Sequence, residues 1–250
     1  MDQPAASNHG EELQNLNSDD SPTQISNQAA NGDDSTSTDM DADVYKAAAM
    51  GHMAFLGEKI SEFQVQLSPK HNTILHIASE FGQTECVKWI LTLPSCSSLL
   101  QCPNLNGDTP LHLAAREGHL EVVEALVCKE RELHADIETG ADKETLIRMT
   151  NKGKDTALHE AVRYEHYAVV RSLIQKDPKF TYGANDSGTT PLYMAAERGF
   201  TVLVKLIIDE SSTSPSYNGL MGRTALHAAV LCNDEGSMLT ILMIMLFSYM

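Results

Sequence analysis

The sequence is short of the features that usually announce chemistry. Its first 40 residues hold eight acidic residues and no Lys or Arg, which is half of the formal net charge of −16. A nucleic-acid binder needs clustered basic side chains that release counterions from phosphates, so this charge balance excludes that class. No apolar run follows Met1, which speaks against a secretory signal peptide and predicts a cytoplasmic chain. The five cysteines are odd in number and lack paired spacing, so a reducing compartment is expected rather than a disulfide framework. Cys96 and Cys102, near His71 and His76 in sequence, fit no zinc spacing, and a second pair is missing. Gly-rich phosphate loops and Gly-x-Ser-x-Gly are missing too. No catalytic, cofactor-binding or metal-ligating residue is therefore assigned. The sequon Asn185-Asp186-Ser187 falls in a turn of a chain without a signal peptide and is read as unmodified.

What the chain does have is repetition. Thr73-Ile74-Leu75-His76, Thr109-Pro110-Leu111-His112, Thr156-Ala157-Leu158-His159, Thr190-Pro191-Leu192-Tyr193 and Thr224-Ala225-Leu226-His227 share one register, with Ala three residues after each leucine. The leucines are separated by 36, 47, 34 and 34 positions, and an eroded copy, Val44 to His52, lies 31 positions before the first. Within the unit Gly107 to Val123, Thr109 is a helix N-cap and Pro110 sits where no amide hydrogen is needed. Ala114 and Ala115 allow close approach between helices, and Gly118 ends the first helix in a left-handed conformation. Leu120, Val123, Leu126 and Val127 then form one apolar face of a second helix, with Glu121 and Glu124 toward water. At the last unit Asn233 stands where Gly is expected, a position Asn tolerates.

These strings resemble the ankyrin repeat, a unit of about 33 residues with a Thr-Pro-Leu-His-x-Ala signature. The resemblance implies an all-α solenoid of helix-turn-helix units joined by short hairpin-like turns, covering residues 41–233. Residues 1–40, acidic and without periodicity, are expected to be a disordered tail. The interval of 47 places an insertion within 128–150, where Glu130, Glu132, Asp136, Glu138, Asp142 and Glu144 predict a longer outer helix and an acidic loop. Residues 234–250 are almost wholly apolar from Ser237 onward, and this stretch of 14 falls short of the roughly 20 residues that span a bilayer. Three readings stay open for it: a helix packed on the last repeat, a membrane-surface anchor, or the mark of a shortened chain.

Ten histidines invite an enzyme reading. His76, His112, His159 and His227 occupy one repeat position, and His52, His119 and His166 another, so they run along the array and cannot converge on one site. Candidate partner-binding residues lie instead on the turns and the inner helices. The turns offer Asn106, Asp108, Lys154 and Asp186; the inner helices offer Phe81, Arg116, Arg163, Tyr164 and Arg198. Aromatic and Arg side chains are the usual anchors of interfaces, which puts Phe81, Arg116, Arg163 and Tyr164 first.

The units Tyr45 to Gly51, Asn72 to Ala78 and Asn151 to Ala161 are similar to those of plant membrane-associated ankyrin proteins of the accelerated-cell-death type. That resemblance implies ankyrin repeats followed by transmembrane helices, and roles in salicylic-acid-linked defence and cell death at the plasma membrane. The expectation is thus a non-enzymatic protein-interaction scaffold in plant defence or stress signalling. The alternative is a membrane-anchored subunit of a transporter-like or channel-like assembly, attached through its apolar C-terminal segment or through helices of the family type.

Overall fold

A computed structural model describes residues 39–59, 66–135, 145–211, 216 and 218–247. The tail expectation for residues 1–38 and most of the acidic loop, 136–144, lie outside the described residues. Helices come in pairs. The first pair is α1 (Ala42–Met50) and α2 (Met53–Glu58); then follow α3 (Ile74–Glu80) with α4 (Thr84–Thr92), and α5 (Pro110–Glu117) with α6 (Leu120–Ala135). The remaining pairs are α7 (Ala157–Arg163) with α8 (Tyr167–Lys176), α9 (Pro191–Glu197) with α10 (Thr201–Glu210), and α11 (Ala225–Leu231) with α12 (Glu235–Phe247).

The odd-numbered helices stack into an inner row, and α4, α6, α8, α10 and α12 stack beside it as an outer row. Stacking buries what no single pair could. Leu75, Leu111, Leu158 and Leu192 are sealed between neighbouring units together with Ala78, Ala114, Ala161 and Ala195. Val122, Val123, Leu126 and Val127 seal the outer row at its centre. The core is one continuous strip of such interfaces rather than a ball, so stability is close to a sum of neighbour terms.

Local rules set each pair. Thr73, Thr156 and Thr190 are extended residues whose hydroxyls accept from the amide three residues on, and Pro110 and Pro191 open their helices as expected. Gly118 ends α5 at φ +78, and Asn233 takes φ +54 after α11. Glu165 holds the same place after α7 at φ +60, a conformation that costs a residue with a Cβ more than glycine.

Three places refine the sequence expectation. Asp39 and Met40, which the sequence reading placed in the tail, are paired with the array: Asp39 bridges to Leu67 and the Met40 N–H donates to the Leu67 carbonyl at 2.9 Å. Within the insertion, α6 does extend to 16 residues, yet Glu130 is buried and accepts a hydrogen bond from the Leu146 N–H. It anchors the returning chain and is not part of a solvated acidic excursion. At the other end α12 packs on α10 and α11, with Ser237 and Ile241 buried, so this segment is the outer helix of the fifth leucine unit. No helix among the described residues is long and apolar enough to cross a membrane.

Candidate functional site

The turns between pairs form a ladder built from one residue type. Asn104 sits four positions before Asp108; its side-chain carbonyl accepts from the Asn106 and Asp108 amides at 2.9 and 3.0 Å, and its Nδ2 donates to the side-chain Oδ1 of Asn72 at 2.9 Å. Asn151 and Asn185 repeat the arrangement one and two units on, donating to Asp108 at 2.9 Å and to Asp155 at 2.7 Å. The tips are also joined through the main chain, where the Lys152 N–H donates to the Asn106 carbonyl and the Asp186 N–H to the Gly153 carbonyl, both at 2.9 Å.

The first histidine row fastens the turns to the inner helices. His76 Nδ1 accepts from the Thr73 amide at 3.2 Å, which leaves the ring proton on Nε2, 3.0 Å from the Asp108 carbonyl of the next unit. His112 and His159 do the same toward the Asp155 and Thr189 carbonyls at 3.0 and 3.2 Å. Burial holds the pKa of all three below the ordinary value, to about 4 for His76 and His159, against the pull of those carbonyl bonds. These rings are neutral connectors, committed at both nitrogens.

A second row points back along the array. His119 Nε2 donates to the Glu80 carbonyl at 3.0 Å and His166 Nε2 to the Arg116 carbonyl at 2.8 Å. Their rings lie over Gly82 and Gly118, where an added Cβ would stand 2.7 and 2.5 Å from ring atoms. Gln83 fills the equivalent place one unit earlier and donates to the Ala49 carbonyl at 2.8 Å. Sequence reasoning passed over Gln83 because a Gln in that register looks unlike a His; the shared chemistry is a side-chain N–H at a fixed distance after the inner helix.

The arginine candidates are tied into the same frame. Arg116 Nε donates to Glu160 Oε2 at 3.0 Å and its Nη2 to Asp108 Oδ2 at 3.1 Å. Arg163 reaches the other Glu160 oxygen at 2.6 Å and Asp155 at 2.7 Å. Burial works against the Arg116 charge, but the bonds to Glu160 and Asp108 outweigh it and raise the pKa. Asp108 and Glu160 are buried, so the reading of Asp108 as a partner contact is corrected: its carboxylate is consumed by Arg116 and Asn151 inside the stack. Arg116 and Arg163 keep only about a quarter of their side chains at the surface, 25% and 24%, and their removal would strand a buried carboxylate.

Phe81 and Tyr164 stand differently. They cap α3 and α7 on the inner row and are 47% and 53% exposed. Tyr45, on α1, meets Phe81 edge-on at 6.4 Å and 84° and widens the aromatic surface; it was missed because it belongs to the eroded unit. Tyr164 stacks on the structural His166 at 6.4 Å and 24°, which orients an otherwise exposed ring. Arg198 follows in the row, its Nη1 donating to the Arg163 carbonyl at 2.5 Å. At the tips, Lys154 and Asp186 form an exposed ion pair at 2.8 Å, and Asn106 contributes its main chain to the ladder. The candidates thus fall into two places, an inner-row strip (Tyr45, Phe81, Tyr164, Arg198) and the fingertips (Asn106, Lys154, Asp186). Among the described residues no three His, Cys, Asp or Glu side chains are grouped to hold a metal ion.

Helix pairs in one register, clamped forward and backward by capped side chains and joined at hairpin turns, define an ankyrin-repeat array, an architecture whose work is protein–protein interaction. The family model for ankyrin repeats in three copies matches residues 44–141 and 158–245, and the chain belongs to that family. Among curated proteins it is similar to Protein ACCELERATED CELL DEATH 6 of Arabidopsis thaliana, 43% identical over 68 residues, 27% of this chain and 10% of that protein. It is also similar to Rho guanine nucleotide exchange factor 28 of Homo sapiens, 38% identical over 60 residues, 24% of this chain and 4% of that protein. The chain therefore spans a tenth or less of these relatives. The ankyrin repeat domain of Bcl-3, a member of the IkappaB protein family, superposes with a TM-score of 0.61 at 21% identity, over 80% of this chain and 84% of that domain, and supports the fold alone.

Proposed function

We propose that the chain is a non-enzymatic scaffold that holds a protein partner on its inner row, acting in plant defence or stress and cell-death signalling on the cytosolic side of the plasma membrane. The observation that carries the binding surface is the exposure of Phe81 and Tyr164 beside polar neighbours whose hydrogen bonds are already committed. Rigid aromatics are inexpensive to order on binding and are typical anchors. Similarity to Protein ACCELERATED CELL DEATH 6 supports the signalling context. Structural duties account for all three buried histidines and for the Asp108, Asp155 and Glu160 carboxylates, which favours a binding role over catalysis.

The test is affinity purification from plant leaf extract with the wild-type chain and with Phe81→Ala plus Tyr164→Ala. A partner retained by the first and lost, at least tenfold, by the second supports the inner-row surface, provided both proteins melt at the same temperature. Identical partner sets would sink it. Ion leakage from leaves expressing either protein tests the cell-death context, which fails if the two leak alike and no more than an empty vector.

A further inference from the structure

At one register position, just past the end of each inner helix or in its last turn, successive units present Phe81, Glu117, Tyr164 and Arg198: a ring, a carboxylate, a ring and a cation. Glu80 directly precedes Phe81 and is partly buried, whereas Glu117 is exposed. Neither carboxylate is answered from within the array. Arg116 is held by Glu160 and Asp108, and Arg163 by Glu160 and Asp155; among the described residues no basic side chain pairs with Glu80 or Glu117.

The corner around Glu80 holds more than charge. Tyr45 and Phe81 meet edge-on at 6.4 Å and 84°, and both rings are open to solvent. Burial and the Glu80 carboxylate both raise the Tyr45 phenol pKa, which puts that negative charge next to the ring pair. Open rings beside an unpaired carboxylate attract an ammonium or guanidinium group, which gains from the ring face as well as from the opposite charge. Glu117 stands one inner helix further on, about 8–10 Å away by the ordinary spacing of packed helices, and Tyr164 follows it. An extended chain of the polyproline type turns the same side to a surface every third residue, a step of about 9 Å. That step matches the spacing from the Glu80 corner to Glu117.

Other occupants fit this strip less well. Nucleic acids, anionic membranes and acidic segments are repelled by the two unanswered carboxylates. An amphipathic helix needs a continuous apolar groove, and Glu117 separates the rings. Residues 1–38 of the chain contain no Lys or Arg and cannot supply the cations.

We propose, resting on the reading of the inner row as the partner surface, that this strip recognises an extended basic segment with Lys or Arg residues three positions apart. One cation lodges against Tyr45, Phe81 and Glu80, and the next against Glu117 beside Tyr164.

Fluorescence anisotropy with the full chain tests this. The probe is a labelled dodecapeptide of Gly, Ser and Leu carrying two lysines three positions apart, and the control carries two glutamates instead. Saturable binding of the lysine peptide is expected, at least tenfold tighter than the control and weakened as salt rises from about 0.05 to about 0.5 M. Glu80→Gln plus Glu117→Gln should weaken it at least tenfold with an unchanged melting temperature. Should that pair fail to fold, the exposed Glu117→Gln alone is read the same way. A wild-type chain that binds both peptides alike overturns the proposal, as does a folded variant that binds the lysine peptide as tightly as wild type. The inner-row reading is judged separately. A leaf partner lost with Phe81→Ala plus Tyr164→Ala but kept by Glu80→Gln plus Glu117→Gln leaves the surface standing and removes its basic partner.

Discussion

The junction between α5 and α7 and the junction between α9 and α11 solve the same packing problem with different chemistry. The first is polar: His112 reaches the Asp155 carbonyl, Asn151 reaches Asp108, and Glu160 bridges Arg116 and Arg163. In the second, Tyr193 replaces the histidine and Gly219 replaces the turn asparagine. The two replacements belong together. A Cβ at 219 would stand 1.8 Å from the Tyr193 ring, so the turn can pass this buried ring only without a side chain. The connection across the turn is then made by the Thr190 hydroxyl, which lies 3.1 Å from the Ser216 carbonyl and 2.9 Å from that of Asn218. A polar ladder and an aromatic plug are alternative ways to lock one repeat on the next, and each needs two positions changed at once.

Acid should separate the two junctions most strongly. His76, His112 and His159 have folded pKa values below their unfolded one, so their contribution is complete above about pH 6.5 and is lost as pH falls, in the case of His76 and His159 toward about 4. Each buried ring should cost up to about 1.4 kcal/mol per pH unit in that window. Because Tyr193 has no ring nitrogen to protonate, hydrogen exchange at pH 4.5 should accelerate in α5 and α7 before α9 and α11. Uniform acceleration would mean that the histidine row does not govern acid stability.

Gly219→Ala should destabilise the chain by about 1–3 kcal/mol through overpacking against Tyr193. Adding Tyr193→Ala should recover part of that loss, a coupling of at least about 0.5 kcal/mol in a urea-unfolding double-mutant cycle. Additive effects would dissolve the link between the two positions. Arg163→Ala should cost about 2 kcal/mol by leaving the buried Glu160 carboxylate half-partnered, and combining it with Glu160→Gln should cost less than the sum. The smallest expected change is a gain: Glu165→Gly relieves a left-handed residue and should stabilise by about 0.5–1 kcal/mol, visible as a raised melting temperature.

The five leucine units were legible because each of their rules is local. Thr caps, Pro opens, Leu and Ala pack and Gly closes within about a dozen residues, and the same string recurs in register. The charged network was not, since Glu160 meets Arg116 across 44 positions and only the stack brings them together. A trace of it was available: Asp108 precedes Arg116, and Asp155 precedes Arg163, by the same eight positions. Read as an ion pair closing each unit, that spacing would have moved both arginines from the interface to the frame. Tyr45 escaped notice for the opposite reason, because its unit has lost the signature that would have set the register.

The fingertips carry one more implication. Their links run through peptide groups, from Lys152 to Asn106 and from Asp186 to Gly153, while the supporting side chains Asn104, Asn151 and Asn185 lie one layer below. Lys154 holds a left-handed φ of +58 that disfavours β-branched replacements, but the array does not depend on the identity of the side chains at 106 and 186. Substitutions there can accumulate without being filtered for folding, which makes the row of tips the part of this molecule most open to acquiring a new specificity.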